Sequence, residues 1–539
     1  MSSTPYATSL RTAVLPLRVA SLERLLWPVA LMLGALLLVA PWLLHVIPNS
    51  DDGLVAGEAM LLAAGRLPYH DYFSALQPVS IVFYAVPLKL FGPSYLTFRV
   101  VTGMVLVVSA VLLQAIASRL VPRIWAAGLA LAWIAWLAIY IQAGPYHYLA
   151  VAWVLGMTLA LLKGRISSGR SGHWQFLAGV LGGLAVLTLP TMAAAAAAGG
   201  GAAFLVNRDR LAASFRVLLG GLAVAVPFFV LLLATSSLSG YWEQTVGWTT
   251  GPYWHSHPHV SPLTPLPPWP RWYFGLPARL LLLFTLFVFP LLLFWLPAWT
   301  WLRRRSLRLR KEVVAIATIS CGLFAAESYR AGTALLLYAA PLALLVLLAM
   351  LLSALSRSHH SVRLAGGGAL GLLLLSAAGA GAVGWASHLQ IGGHPAWTVV
   401  HAAGADVYAD PDDAAAMQAM VDFARQHPSD RIAYLPVLET MYLLTGETPP
   451  VRYLTLLPGV FTDEQVRAEE AELRQGGIRY LVFQPLPDAF LEGAYPGSLA
   501  SLRGRQWELA AFVEAEYRAV GVLGSTRQLG RILLYERPE

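Results

Sequence analysis

Residues 49–84 read NSDDGLVAGEAMLLAAGRLPYHDYFSALQPVSIVFY, and the fold turns on where this stretch lies. It follows at once on an apolar run from Leu26 to Ile47 that has Arg11, Arg18 and Arg24 ahead of it. That run is too long for a signal-peptide core and lacks a small-residue cleavage site, so it reads as an uncleaved first membrane span. Asp51 and Asp52 then stand at the mouth of a membrane helix, where charge is costly and usually functional. From the residues alone the pair also reads as a helix N-cap with its neighbour, because Gly53 to Ala64 has helical spacing and Asp is a favoured cap. The two roles are compatible.

The rest of the chain has a membrane protein's composition. Of 539 residues 57% are hydrophobic and 12% charged, with mean hydropathy +0.61. A soluble domain could not bury so much apolar surface. The single cysteine, Cys321, lies in an apolar run, which excludes an internal disulfide and a thiolate metal site. The net charge of +8 is carried mainly by arginine and is read by position. No stacked basic-aromatic module points to nucleic acid.

Ten further spans are expected near 97–118, 124–141, 147–162, 174–189, 191–206, 217–235, 277–301, 312–326, 332–353 and 365–387, making about eleven. With these drawn, the basic clusters at Arg119 and Arg123, Lys163 to Arg170, Arg208 to Arg216, Arg303 to Lys311, and Arg357 and Arg363 fall on one side. The other side carries only Arg66, Lys89, Arg99, Arg271, Arg279 and Arg330. The positive-inside rule makes the N-terminus, residues 1–24, cytoplasmic. A transmembrane domain over 25–387 follows, with an outer loop over 49–96 and a long one over 236–275. All the unusual polar residues then face away from the cytoplasm, at a plasma or inner membrane. Nucleotide sugars are absent there, so the topology favours a lipid-borne substrate, although it would equally suit a receptor or an exporter.

From His388 the composition becomes that of a soluble domain. RIAYLPV from Arg431, IRYLVFQP from Ile478 and GRILLYERP from Gly530 read as strands. DPDDAAAMQAMVDFARQH, TDEQVRAEEAELRQGG from Thr462 and QWELAAFVEAEY from Gln506 read as helices, the second with a Thr462/Gln465 capping box and a Gly476-Gly477 stop. A small α/β domain over 388–539, outside the cytoplasm, is expected.

The acid pair, the GRLPYHDYF segment behind it and the Gln77-Pro78 step resemble the first outer loop of the GT-C glycosyltransferases. Among these the chain looks most like the family 39-type enzymes, related to protein mannosyltransferases and aminoarabinose transferases, that take a sugar from a polyprenyl-phosphate carrier. ETMYLLTGETPPVRY resembles a Y-x-L-T-G stretch in their soluble C-terminal domains. The resemblance implies a polytopic helical GT-C domain, an inverting transfer, and Asp51 as the general base that takes the acceptor's proton. A lipid phosphate is already a good leaving group, so one carboxylate suffices where glycosidases need two. Asp52 stands where relatives often have Glu and would orient Asp51 or bind a sugar hydroxyl. Tyr69 and Asp71 are candidate sugar or loop-ordering contacts; a plain surface turn after Pro68 explains them as well.

The chain departs from that pattern twice. Some relatives have Lys where Gln77 stands, and a neutral amide cannot replace its charge on the phosphate. Arg330, in AESYRAG, is the first candidate for that role because a guanidinium fits phosphate with paired hydrogen bonds. Its alternative is an ion pair with Glu327; Arg66, Lys89 and Arg271 compete for the phosphate. Many GT-C proteins also place an acid in the outer turn where this chain reads QAGPYHYLA, offering Gln142 and His147. His147 would touch substrate or only satisfy a helix end. In the loop SGYWEQTVGWTTGPYWHSHPHVSPLTPLPPWPRWYFG, the rings read first as an interfacial belt. The prolines favour extended chain. Glu243 with the rings would form a flap over sugar or lipid. His255, His257 and His259 alternate as zinc ligands would, but Pro258 interrupts the strand; a divalent metal is possible and not indicated.

The expectation is therefore an integral membrane glycosyltransferase. Its partners are the bilayer, a polyprenyl-phosphate-linked sugar and a lipid, glycan or protein acceptor. A flippase of lipid-linked glycans would show internal repeats or ionisable residues within spans. A non-catalytic glycan-binding scaffold would not need Asp51.

Overall fold

The computed structural model describes residues 10–48, 50–138, 141, 144–166, 171–253, 311–327, 337–355, parts of 367–389, 397–456, 461–488, 499–526 and 530–538. Helix α1 (Leu10–Leu43) contains the first apolar run up to Leu43 and extends back into the basic segment. Helices α4 (Tyr95–Ala117), α5 (Arg123–Ala138), α6 (Pro145–Ile166), α7 (Ser171–Val186), α8 (Ala193–Val206) and α9 (Arg210–Ala234) coincide with predicted spans. Helices Lys311–Glu327 and Pro341–Leu355 do so too. The predicted span at 277–301 lies outside the described residues, and the one at 365–387 lies only partly within them.

Among the described residues four helices are long and apolar enough to cross a membrane: Leu26–Leu43, Tyr95–Ala117, Pro145–Arg165 and Arg210–Ala234. Their outward residues are apolar, as a lipid-facing surface requires. Phe215, Leu218, Val230 and Leu233 on α9, and Met104 and Val108 on α4, are all exposed. Packing between spans uses small residues: a Cβ on Gly179 of α7 would lie 1.9 Å from the Val217 carbonyl of α9, and one on Gly220 would lie 2.0 Å from that of Phe176.

The stretch 50–96, expected as an outer loop, is largely helical. It holds α2 (Asp51–Ala63) and α3 (Pro78–Phe91). Pro78 opens α3, where its missing N–H is no loss, and Gly92 at φ 90 ends it. Val82, Val86, Leu90 and Phe91 on α3 are 50–78% exposed, an apolar face suited to lying along the bilayer. Past α9 the chain stays helical from Leu238 to Tyr253, with π turns over Trp242–Gly247 and Thr249–Tyr253. The proline-rich part of the loop expected to be extended, beyond Tyr253, lies outside the described residues.

After residue 397, β1 (Thr398–His401) and β2 (Asp406–Ala409) pair antiparallel. A four-stranded sheet runs in the order β3-β4-β6-β5, from β3 (Ile432–Leu435), β4 (Tyr480–Phe483), β5 (Arg518–Thr526) and β6 (Gly530–Glu536). β3 and β4 are parallel, so the chain between them crosses over through helices Thr440–Thr445 and Asp463–Gln475. The latter starts with the Thr462/Gln465 capping box read from sequence. This region does not close a core of its own. Val55, Met60 and Tyr72 of the outer stretch share one cluster with Tyr434, Leu443 and Phe483. Tyr408 of β2 exchanges backbone hydrogen bonds with Leu44 and Val46 at the end of the first span. A Cβ on Gly53 would meet the Thr440 amide nitrogen at 2.3 Å, so α2 lies backbone against backbone on the C-terminal region.

Candidate active site

The acid pair does not cap α2. Ser50 holds the N-cap position, with extended φ −121° and ψ 155°, and Asp51 and Asp52 are the first two helical residues. There the helix dipole favours negative charge. Their surroundings then diverge: Asp51 is exposed and Asp52 fully buried. Asp52 forms an ion pair with Arg99 of α4 at 2.7 Å, both side chains being inaccessible to solvent. Arg99 also donates from Nε to the Tyr95 hydroxyl (2.9 Å), from Nη1 to the Ile141 carbonyl (2.7 Å) and from Nη2 to the His45 carbonyl (3.4 Å). Burial pushes the Asp52 carboxyl up to about 7, with Arg99 opposing and Asp51 adding to the rise. As placed, Asp52 faces the protein rather than a ligand, and acts by fixing the start of α2 to α4.

Asp51 meets the turn before α6. Gly144 has φ 73°, and a methyl group there would lie 2.6 Å from His147 Cδ2 and 3.6 Å from Asp51 Oδ2. His147 is buried, bonds through Nδ1 to the Glu327 carboxylate at 3.0 Å and stacks on Tyr338 with centroids 4.9 Å apart. From the C-terminal region Glu439 comes close enough for Asp51 to help raise its carboxyl to about 8, burial being the larger cause. The site therefore gathers Asp51, His147, Glu327 and Glu439 from four separate elements.

Sequence spacing brought only Asp51 and His147 to notice here. In the sequence Glu327 stands out only as a neighbour of Arg330, and nothing in ETMYLL marks Glu439 as a site residue. The turn before α6 carries no acid of its own, and Glu327 is the carboxylate that reaches His147. Arg99 was counted among scattered outer cations.

The other candidates order the loop. Asp71 accepts the Leu67 amide (2.6 Å) and bonds His70 Nδ1 (2.7 Å), contacts that hold its carboxyl below the usual range. Tyr69, buried at φ 68°, donates to the Leu76 carbonyl at 2.6 Å, and its ring meets Tyr241 edge-on. Gln77 is buried and accepts the Tyr241 hydroxyl at 3.0 Å. Arg66 donates to the Asp71 carbonyl (2.8 Å) and approaches Glu472 (3.9 Å), while Lys89 is exposed on α3. Glu243 is exposed on the first π turn. Arg330, Arg271, His255, His257 and His259 lie outside the described residues. Among the described residues no three His, Cys, Asp or Glu side chains gather as metal ligands would.

An apolar groove of about 540 Å³ runs beside this stretch between α3, α7 and α9, lined by Val82, Phe83, Leu187, Pro227 and Leu231. Tyr69, Thr235 and Ser237 supply its few polar groups.

The fold is that of the GT-C class. No protein-family model matches the chain, and no curated protein matches it significantly. Among solved structures it is similar to ArnT from Cupriavidus metallidurans bound to undecaprenyl phosphate. That likeness has a TM-score of 0.55 and 14% identity, over 95% of this chain and 98% of that one. Apo ArnT from the same organism matches at TM-score 0.54 and 14% identity, over 96% and 98%. The oligosaccharyltransferase AglB from Archaeoglobus fulgidus, in complex with an inhibitory peptide and a dolichol-phosphate, gives a TM-score of 0.49 at 12% identity over 92% and 72%. At these identities the likeness is one of fold.

Proposed function

We propose that this protein is an integral membrane inverting glycosyltransferase that moves a monosaccharide from a polyprenyl-phosphate carrier to an acceptor outside the cytoplasm, a cell-envelope glycan, lipid or protein. The observation that carries the reading is the seating of Asp51. An exposed carboxylate at the first turn of α2, on a helix locked to α4 by the buried Asp52–Arg99 pair, is a preorganised base. Asp51 takes the proton of the acceptor hydroxyl as that oxygen attacks the anomeric carbon, and the carrier phosphate leaves with the bonding electrons. His147, oriented by Glu327, and Glu439 flank the base and set its local field.

The apolar groove supports a lipid-linked donor. Its lining offers a prenyl chain almost no polar contact beyond Tyr69, Thr235 and Ser237. The phosphate cation in this reading is Arg330, with Arg271 next. Arg66 is committed to Asp71 and Glu472, and Lys89 sits on the outward side of α3. The topology proposed with it has about eleven spans, a cytoplasmic N-terminus and residues 388–539 outside the cytoplasm.

Purified protein in lipid, given a labelled set of polyprenyl-phosphate sugars and an extract of native membranes, tests this. Wild type is expected to release polyprenyl phosphate and label the extract, and Asp51→Asn to lose at least about 100-fold in rate with unchanged thermal stability. Transfer that persists in Asp51→Asn would sink the assignment of the base. Absence of transfer from every donor by folded wild type would favour a carrier or a glycan-binding scaffold.

A further inference from the structure

A second cavity, of about 710 Å³ and without Asp51 in its lining, lies between the π turns at 242–253 and the Asp463–Gln475 helix. One wall is aromatic: Phe73 stacks on Tyr453 with centroids 5.3 Å apart and meets Trp248 edge-on at 5.6 Å. Phe73 and Tyr453 are nearly buried, whereas Trp248 is half-buried and lines the opening. The facing wall is one side of the helix, where Ala468 and Ala471 leave room and Glu464, Gln465 and Gln475 supply planar polar groups. Such a cleft, the Trp248 ring backed by Phe73 and Tyr453 and facing amide and carboxylate groups with small residues between, matches the alternating apolar faces and equatorial hydroxyls of pyranose sugars.

The charge narrows the ligand. Among the described residues Glu243, Glu464 and Glu472 line the cleft against Arg452, and with Glu472 also met by Arg66 at 3.9 Å the lining keeps a net negative charge, so a phosphorylated or uronic saccharide is disfavoured. The position gives the role. Ser74, next to Phe73, donates to the Glu58 carboxylate at 2.5 Å, and Glu58 lies two turns along α2 from Asp51, roughly 10 Å by the helical rise. A sugar in the cleft is therefore too far away to be the one that reacts, and near enough to belong to the same chain.

We propose that this cleft binds a distal segment of the acceptor, a saccharide chain free of acidic groups, neutral or amino-bearing. The proposal rests on the transferase reading for the word acceptor, and on the cleft alone for the binding. It selects long acceptors over short ones and leaves the chemistry to Asp51.

The test uses full-length Asp51→Asn protein in nanodiscs with no donor present, so its outcome is independent of whether transfer occurs. Glucan, chitosan and polygalacturonate pentasaccharides are titrated by calorimetry and tryptophan fluorescence. Binding of the glucan or chitosan is expected, at least tenfold tighter than the galacturonate. Trp248→Ala should weaken it tenfold or more. Ala468→Trp, at an exposed helical position, should abolish it by filling the cleft without lowering Tm. The proposal is overturned if the galacturonate binds best, if none of the three binds, or if binding survives Ala468→Trp.

Discussion

Replacing Arg99 by methionine keeps the bulk of the side chain and strands the Asp52 carboxylate at a site with no solvent access. Removing one partner of such a buried pair costs about 3–5 kcal/mol. The donations to Tyr95 and Ile141 are lost as well, at about 1 kcal/mol each. In the Asp52→Asn background the carboxylate is already gone, so adding Arg99→Met should cost only those two bonds while relieving a stranded guanidinium. The cycle therefore predicts a coupling of about 3 kcal/mol. Thermal unfolding of the four proteins in detergent reads it: the double variant should recover at least half of the Tm that Arg99→Met loses. A pH series adds a second readout. Burial already raises the Asp52 carboxyl to about 7 against the pull of Arg99. Without that pull it rises further, so the single variant should regain stability as pH falls from about 8 to about 6 and the carboxyl becomes neutral. Equal Tm losses from Arg99→Met in the wild-type and Asp52→Asn backgrounds would refute the coupling and the anchoring of α2 argued from it.

Gly144→Ala strains a left-handed residue by roughly 1–2 kcal/mol and pushes a methyl group onto His147. Transfer should fall at least tenfold with a Tm drop of only a few degrees, as measured by labelled product against unfolding. Glu469 is buried, accepts the Tyr453 amide at 3.1 Å and has its carboxyl pushed up to about 8, chiefly by burial with Glu472 adding. A carboxyl raised on folding costs stability as pH climbs above its unfolded value, and the cost is complete above about 8. Glu469→Gln keeps the acceptor for Tyr453, so it should raise Tm at about pH 8.5 and leave it unchanged at about pH 5, flattening that stretch of the stability profile.

The long apolar runs were readable because a membrane span announces itself by length alone. Helix α3 was not, since its fourteen residues include Pro87 and Lys89 and its apolar side faces outward. Strands β3, β4 and β6 stand out as short apolar runs, while β5, largely exposed and broken by Gly521 and Gly524, has no such signature. In the site, Asp51 was visible from its position next to a span. The partners that define its setting were hidden by separation. His147 and Glu327 are 180 residues apart, and Arg99 looks like any outer-loop cation until α4 brings it under α2. Nothing in a linear pattern distinguishes a charge that will be buried and paired from one left in water.

Residues 398–536 complete the core into which the outer stretch 51–98 packs, and β2 is bridged to the end of the first span. During synthesis Asp51 is made early, yet the strands and helices that hold α2 in place are made hundreds of residues later. Until then the acid pair is held through the Asp52–Arg99 pair, without the C-terminal part of its core. The core around α2 is completed only when the far end of the chain docks on the near end, so the earliest-made part of this core waits on the last-made part.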